Sequence, residues 1–159
     1  MVHLAGVARF DDDGSGEWLA LDIDDAGFRA AAAVKGVGFL DQADVLVNAR
    51  LAADVVGATR MDRPAWSAVD PKTGEGYFTL TNNSARTAAQ VSPSNPRGPN
   101  DFGHIIRWRE QGDRHDALRF AWELFVLSGT TTDSGVLPGE AGDRKLDAGS
   151  IHASPDGLW

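Results

Sequence analysis

Short runs of alternating apolar and polar residues, separated by turn-forming clusters, dominate the chain and predict antiparallel hairpins. The first pairs Val7–Phe10 with Trp18–Leu21 across Asp11-Asp12-Asp13-Gly14-Ser15-Gly16. A second flanks Asp70-Pro71-Lys72-Thr73-Gly74-Glu75 with Trp66–Val69 and Gly76–Thr81. There Pro and Gly set the turn, and aromatic and β-branched residues set the strands. The third is the strongest. Ile105–Arg109 pairs with Leu118–Leu127, in which Leu118, Phe120, Trp122, Leu124 and Val126 alternate with Arg119, Ala121, Glu123 and Phe125. That period of two buries one face of the strand.

One segment breaks the β pattern. Residues 41–56 predict a helix with Asp41 as N-cap and Gly57 just past its end. Its apolar set, Ala43, Leu46, Val47, Ala53 and Val56, is broad enough to predict a buried helix lying against β-structure. Residues 84–101 carry Pro93, Pro96 and Pro99 and predict a long loop, a kind of segment that often serves function. Residues 128–149, rich in Gly, Thr and Asp, predict another. Several short strands, regular turn signals and one helix predict a mainly β fold, a propeller or a sandwich. At about 40–45 residues per blade, the chain holds about three blades' worth of hairpins. Too few to close a ring, and ending on Leu158-Trp159 where a strand should open, they predict a partial β-propeller: one incomplete domain over residues 1–159, a fragment of a longer chain.

Composition narrows the function classes. A formal net charge of −8 argues against nonspecific nucleic-acid binding, which needs clustered Lys and Arg. The absence of cysteine removes disulfides, thiolate metal sites and cysteine nucleophiles. No apolar run approaches the roughly 20 residues of a membrane span, and Met1–Ala5 lacks the features of a signal peptide. His3, His104, His115 and His152 show no metal-ligand spacing, so His104 reads as a packing or hydrogen-bonding residue at a strand start. The oxygen-rich run Asp11–Gly16 could hold a hard cation, but it lacks the spacing of a calcium loop and reads better as a plain turn. Asn82 and Asn83 could reach a ligand or cap a turn.

The most specific run is Gly57-Ala58-Thr59-Arg60-Met61-Asp62-Arg63-Pro64-Ala65-Trp66, between a helix end and a strand start. Arg63 can offer phosphate a planar fork of donors, and Asp62 can bind a cation or pair with Arg63. This run, with Ala68–Glu75, Tyr77–Asn83, Asn95–Asn100, Gly103–Trp108 and Ser154-Pro155-Asp156-Gly157-Leu158-Trp159, resembles the PhoX-type alkaline phosphatases in motif and order. The resemblance extends from about residue 37 to the end and is looser before it.

The resemblance implies a β-propeller phosphatase that hydrolyses phosphate monoesters, with calcium and iron at the mouth of the propeller and a periplasmic or secreted location. Arg63 matches a phosphate-contacting arginine, and Trp66 a position whose backbone carbonyl can face a metal. Asp156 matches an acidic metal ligand. Ala65 departs from the pattern. The family carries a metal-ligating glutamate there, and a methyl group gives calcium no oxygen. The family's upstream cysteine and glutamate ligands have no counterpart, so the remainder of a propeller would be required for activity. The alternative is a non-catalytic or degenerate propeller fragment that binds a partner or has no independent function.

Overall fold

The computed structural model describes residues 6–132, 134–136 and 146–158. Met1–Ala5, residues 137–145 of the predicted 128–149 loop, and Trp159 with its predicted strand opening lie outside them. The chain divides into two compact units, one of residues 6–11 and 16–59, the other of residues 12–15 and 60–158.

In the first unit, strands β1 (Gly6–Phe10) and β2 (Ser15–Ala20) pair antiparallel, with Gly6 opposite Ala20 and Phe10 opposite Gly16. The predicted acidic loop between them is a turn. Asp13 Oδ1 accepts from the Ser15 amide at 2.9 Å and its hydroxyl at 2.6 Å, and Asp11 pairs with Arg9 at 3.0 Å. Three helices follow: α1 (Ala26–Val34), α2 (Gln42–Val47) and α3 (Ala49–Val56). Leu21, Phe28, Ala32, Val45, Ala52 and Val55 form their core, and the Phe28 and Phe39 ring centroids lie 5.4 Å apart.

The single helix predicted over 41–56 is in fact two. Asp41 caps as expected, its carboxylate accepting from the Asp44 amide at 2.8 Å, and Gly57 ends α3 in the left-handed region at φ 75°. The helix breaks at Asn48, whose φ −100°, ψ 36° lies outside the helical region. Its side-chain amide donates to the Asp44 carbonyl at 3.1 Å and to the Asp44 carboxylate at 2.7 Å, while its backbone amide keeps the helical bond to the Asp44 carbonyl at 3.0 Å. The expected covering of this segment also needs correction. Only Val45, Ala52 and Val55 are buried, and Val47 is 83% exposed. Helix α1 was not read from sequence, although Asp25 accepts from the Phe28 amide at 2.7 Å and so marks its start.

The second unit is an antiparallel meander. Strands β3 (Pro64–Val69), β4 (Gly76–Leu80), β5 (His104–Glu110) and β6 (Arg119–Leu127) pair in chain order, and β7 (Gly135–Val136) adds to β6. Both hairpins predicted here are present. Phe120, Trp122 and Val126 are buried as the alternation requires, with Leu80, Ile105 and Ile106. Leu118, placed in the same stripe from sequence, precedes β6 and is 60% exposed.

Two irregularities shape this sheet. The register slips between Pro64 and Ser67 on β3, and between Ile105 and Ile106 on β5. A bulge re-aims side chains where ladder pairing is interrupted, and the first one holds Ala65 and Trp66. The predicted 84–101 loop holds one short 3₁₀ turn, Ala88–Gln90, closed by a reciprocal Thr87–Gln90 cap, and isolated bridges pair Ser92 with Asn95 and Asn100 with Asn83. Among the described residues, no helix is long and apolar enough to cross a membrane.

Candidate functional site

Arg63 occupies the residue before β3 at φ 53°, in the left-handed region where a side chain is strained. Backbone bonds hold it there. Its amide donates to the Met61 carbonyl at 3.1 Å, and its own carbonyl accepts from the Thr81 amide and hydroxyl, each at 3.2 Å. The exposed guanidinium donates from Nη1 to Asn82 Oδ1 at 3.1 Å. Asn82 turns its amide nitrogen the other way, onto Ser154 Oγ at 3.2 Å. One asparagine therefore joins the Arg63 turn to the Ser154–Asp156 turn.

A second link lies three residues earlier, within β4. Thr79, fully buried, faces the β3 bulge and substitutes its hydroxyl for the missing ladder partner. Its Oγ1 accepts from the Trp66 amide at 3.0 Å and donates to the Asp156 carbonyl at 2.8 Å. The Ser154 amide donates to the Phe102 carbonyl at 2.6 Å, and Gly129 donates to the His152 carbonyl at 2.8 Å. The backbones of Arg63, Trp66 and Asp156 thus gather at the end of β4. Arg63, Ala65 and Asp156 are all exposed, and Trp66 is 53% exposed.

Asp62, the neighbour of Arg63, turns inward. Its carboxylate is fully buried and pairs with Arg86, not with Arg63. Oδ1 accepts from Arg86 Nε at 2.6 Å and Asn83 Nδ2 at 2.9 Å, and Oδ2 accepts from Asn100 Nδ2 at 2.9 Å. With protein donors on both oxygens and no exposed surface, Asp62 is not placed to take up a cation from solvent.

His104 is fully buried beside this cluster and hydrogen-bonded, as read from sequence. Its Nε2 lies 2.9 Å from the Ser94 carbonyl, which can only accept, so Nε2 carries the proton. Nδ1 then accepts from Asn100 Nδ2 at 3.0 Å. Burial lowers the imidazole pKa from its ordinary 6.5 to about 4, against the smaller opposing pull of the Ser94 carbonyl and the Asp62 charge. Because the folded value lies below the unfolded one, acid protonates the unfolded chain first. Stability attributable to His104 is complete above about pH 6.5 and is lost as pH falls toward about 4, a loss of about 3 kcal/mol. Urea midpoints measured between pH 7 and pH 4 should fall accordingly, and His104→Gln should flatten that part of the profile.

Sequence reasoning named Arg63, Trp66 and Asp156 as candidates, and the structure links their backbones through Thr79 and Thr81. It missed Thr79 and Ser154 as connectors. Nothing separates Thr79 from an ordinary strand threonine until the opposing bulge is known. Of the two roles considered for Asn82 and Asn83, the turn is present at Asn83, whose Oδ1 accepts from the Ala85 amide at 3.2 Å, and Asn82 instead bonds the Arg63 and Ser154 side chains.

Comparison with known proteins adds a family to this geometry. The family model for alkaline phosphatase PhoX matches residues 4–159. The chain belongs to the alkaline phosphatase PhoX family. Its mainly β fold is also similar to the structure of Pseudomonas fluorescens PhoX in complex with vanadate, a transition state analogue. The TM-score is 0.79 at 42% sequence identity, over 97% of this chain and 27% of that one. The chain therefore spans about a quarter of the length of that PhoX protein. No curated protein matches.

The PhoX family is one of metal-dependent phosphatases. Residues of this chain do not by themselves fit the calcium and iron centre that the resemblance implies. Among the described residues, no three His, Asp or Glu side chains converge where they could hold a metal ion. Calcium takes about six to eight oxygens. Here Ala65 supplies none and Asp156 supplies one carboxylate.

Proposed function

We propose that this chain supplies one rim of a site that hydrolyses phosphate monoesters, with Arg63 contacting the phosphate and Asp156 as a ligand to metal held mainly by other residues. One observation carries the reading. Asn82 bridges the Arg63 guanidinium and Ser154 Oγ, so a cationic fork and an acidic turn stand at one strand end. A guanidinium presents paired donors that match phosphate oxygens, and its charge offsets the dianion that otherwise repels a nucleophile. Vanadate bound to the similar PhoX structure supports a phosphoryl ligand for this site as well.

The chain on this reading is one incomplete propeller domain, a fragment of a longer protein. It needs the remainder of the propeller for calcium, iron and turnover, and it works outside the cytoplasm. Ala65 and the lack of converging carboxylates favour a second reading for the chain alone, a binding fragment without catalysis.

The test pairs hydrolysis with binding. The purified 159-residue chain, supplied with calcium and iron, is expected to leave a chromogenic phosphate ester intact. Titration with inorganic phosphate should shift the NMR resonances of Arg63, Asn82 and Asp156, and Arg63→Gln should weaken that binding by about tenfold. Turnover by the chain alone would refute the ligand inventory. Phosphate shifts that bypass Arg63 and Asp156 would refute the rim.

A further inference from the structure

The rim has two halves, and one buried side chain touches the supports of both. We propose that Asp62 is a positioning residue that sets Arg63 and the Ser154–Asp156 turn in register for phosphate, through Asn83 on one side and Asn100 on the other. The inference rests on the phosphate-binding reading above for its purpose, but its geometry stands independently.

Toward Arg63, Asp62 Oδ1 receives Asn83 Nδ2 at 2.9 Å. Asn83 follows Asn82, the residue that holds the Arg63 guanidinium. Two successive residues of the turn, Asp62 and Arg63, are therefore gripped by two successive residues beyond β4. The grip restrains the Arg63 side chain, while backbone bonds to Met61 and Thr81 hold its left-handed backbone.

Toward Asp156, Asp62 Oδ2 receives Asn100 Nδ2 at 2.9 Å. Asn100 Oδ1 accepts from the Gly103 amide at 3.1 Å, which fixes the backbone at Phe102, and the Phe102 carbonyl holds the Ser154 amide at 2.6 Å. The two arms are also tied to each other. Asn83 and Asn100 exchange backbone bonds of 2.6 and 3.1 Å across an isolated bridge. Arg86 closes the remaining side of the carboxylate at 2.6 Å and donates onward to the Gln90 and Arg60 carbonyls. A carboxylate is the group suited to this place. It only accepts, and its two oxygens can serve the two asparagine amides and a guanidinium together. An amide at residue 62 would turn one of those oxygens into a donor facing a donor.

The test reads the two arms separately by NMR of the intact chain, following the Arg63 Nε–H signal and the Ser154 amide, each with and without inorganic phosphate. Asp62→Asn should displace both signals and weaken phosphate binding by about tenfold. Asn83→Ala should displace Arg63 Nε–H and leave the Ser154 amide in place, and Asn100→Ser should do the reverse. If Asp62→Asn fails to fold, the two single-arm variants decide. Unchanged signals in folded variants, or both signals moving together in each single-arm variant, would overturn the proposal. A wild-type chain that ignores phosphate but keeps this two-armed pattern would refute the phosphate reading and leave the positioning role standing.

Discussion

Gly103→Ala is expected to destabilise the second unit by about 2–5 kcal/mol. Two effects add at this residue. Its φ of +79° is a conformation that costs an alanine about 1–2 kcal/mol. A β-carbon there would also stand 2.2 Å from the Thr81 carbonyl oxygen and 2.3 Å from that of Leu80. Both are backbone atoms of the β4 end, so no side-chain rotation relieves the clash. Gly112→Ala is the control. It has a similar φ of +67° but nothing within 4 Å of the added carbon, so only the conformational cost of about 1–2 kcal/mol should remain. Urea unfolding of the two variants measures the difference directly, and equal midpoints would mean that β4 does not lie against Gly103. The substitution should also reach the site, because the preceding Phe102 carbonyl holds the Ser154 amide.

Asp62→Ala is expected to cost about 3–5 kcal/mol, the usual penalty for removing one partner of a buried ion pair. The Arg86 side chain is only 10% exposed, and Asp62 is wholly enclosed. Truncation strands the Arg86 charge and leaves the Asn83 and Asn100 amides facing a cavity. Adding Arg86→Met should restore part of the loss, since no buried charge then remains. Denaturation of the single and double variants gives the coupling between the two residues. If the double variant is destabilised by the sum of the singles, the pair does not act as a buried ion pair.

Strand pairing in the second unit was legible because β6 buries one face, and burial on one face imposes a period of two on the residues. Phe120, Trp122 and Val126 carry that signal. Helix caps were legible for a local reason. Asp41 bonds an amide three residues on, and Gly57 adopts a left-handed backbone that few other residues tolerate. The break at Asn48 was not, since its φ/ψ depends on how α2 and α3 pack rather than on a lost helical bond. A run of alanines blurred α1, where Ala30 to Ala33 carry too little contrast between faces to show periodicity, although only Ala32 among them is buried.

In the site, the chemistry of individual residues was readable and their partners were not. Arg63 and Asp156 stood out through their motifs, 93 residues apart in the sequence. Asp62 could be read as a cation ligand or, in a structural turn, as a partner of Arg63, and only its burial against Arg86 excluded both. Ala65 was readable as a missing oxygen only through the family resemblance, which implies a glutamate at that position.

The residue order by itself determined the hairpins, the cap positions, the acidic charge and the phosphatase lineage, because each depends on neighbours within a few positions or on motif order. Tertiary structure alone decided that Thr79 would serve a bulge, that Asn82 would span two turns and that Asp62 would face inward. Those choices depend on which donors and acceptors remain unmatched once distant strands pair, and no local pattern encodes that remainder.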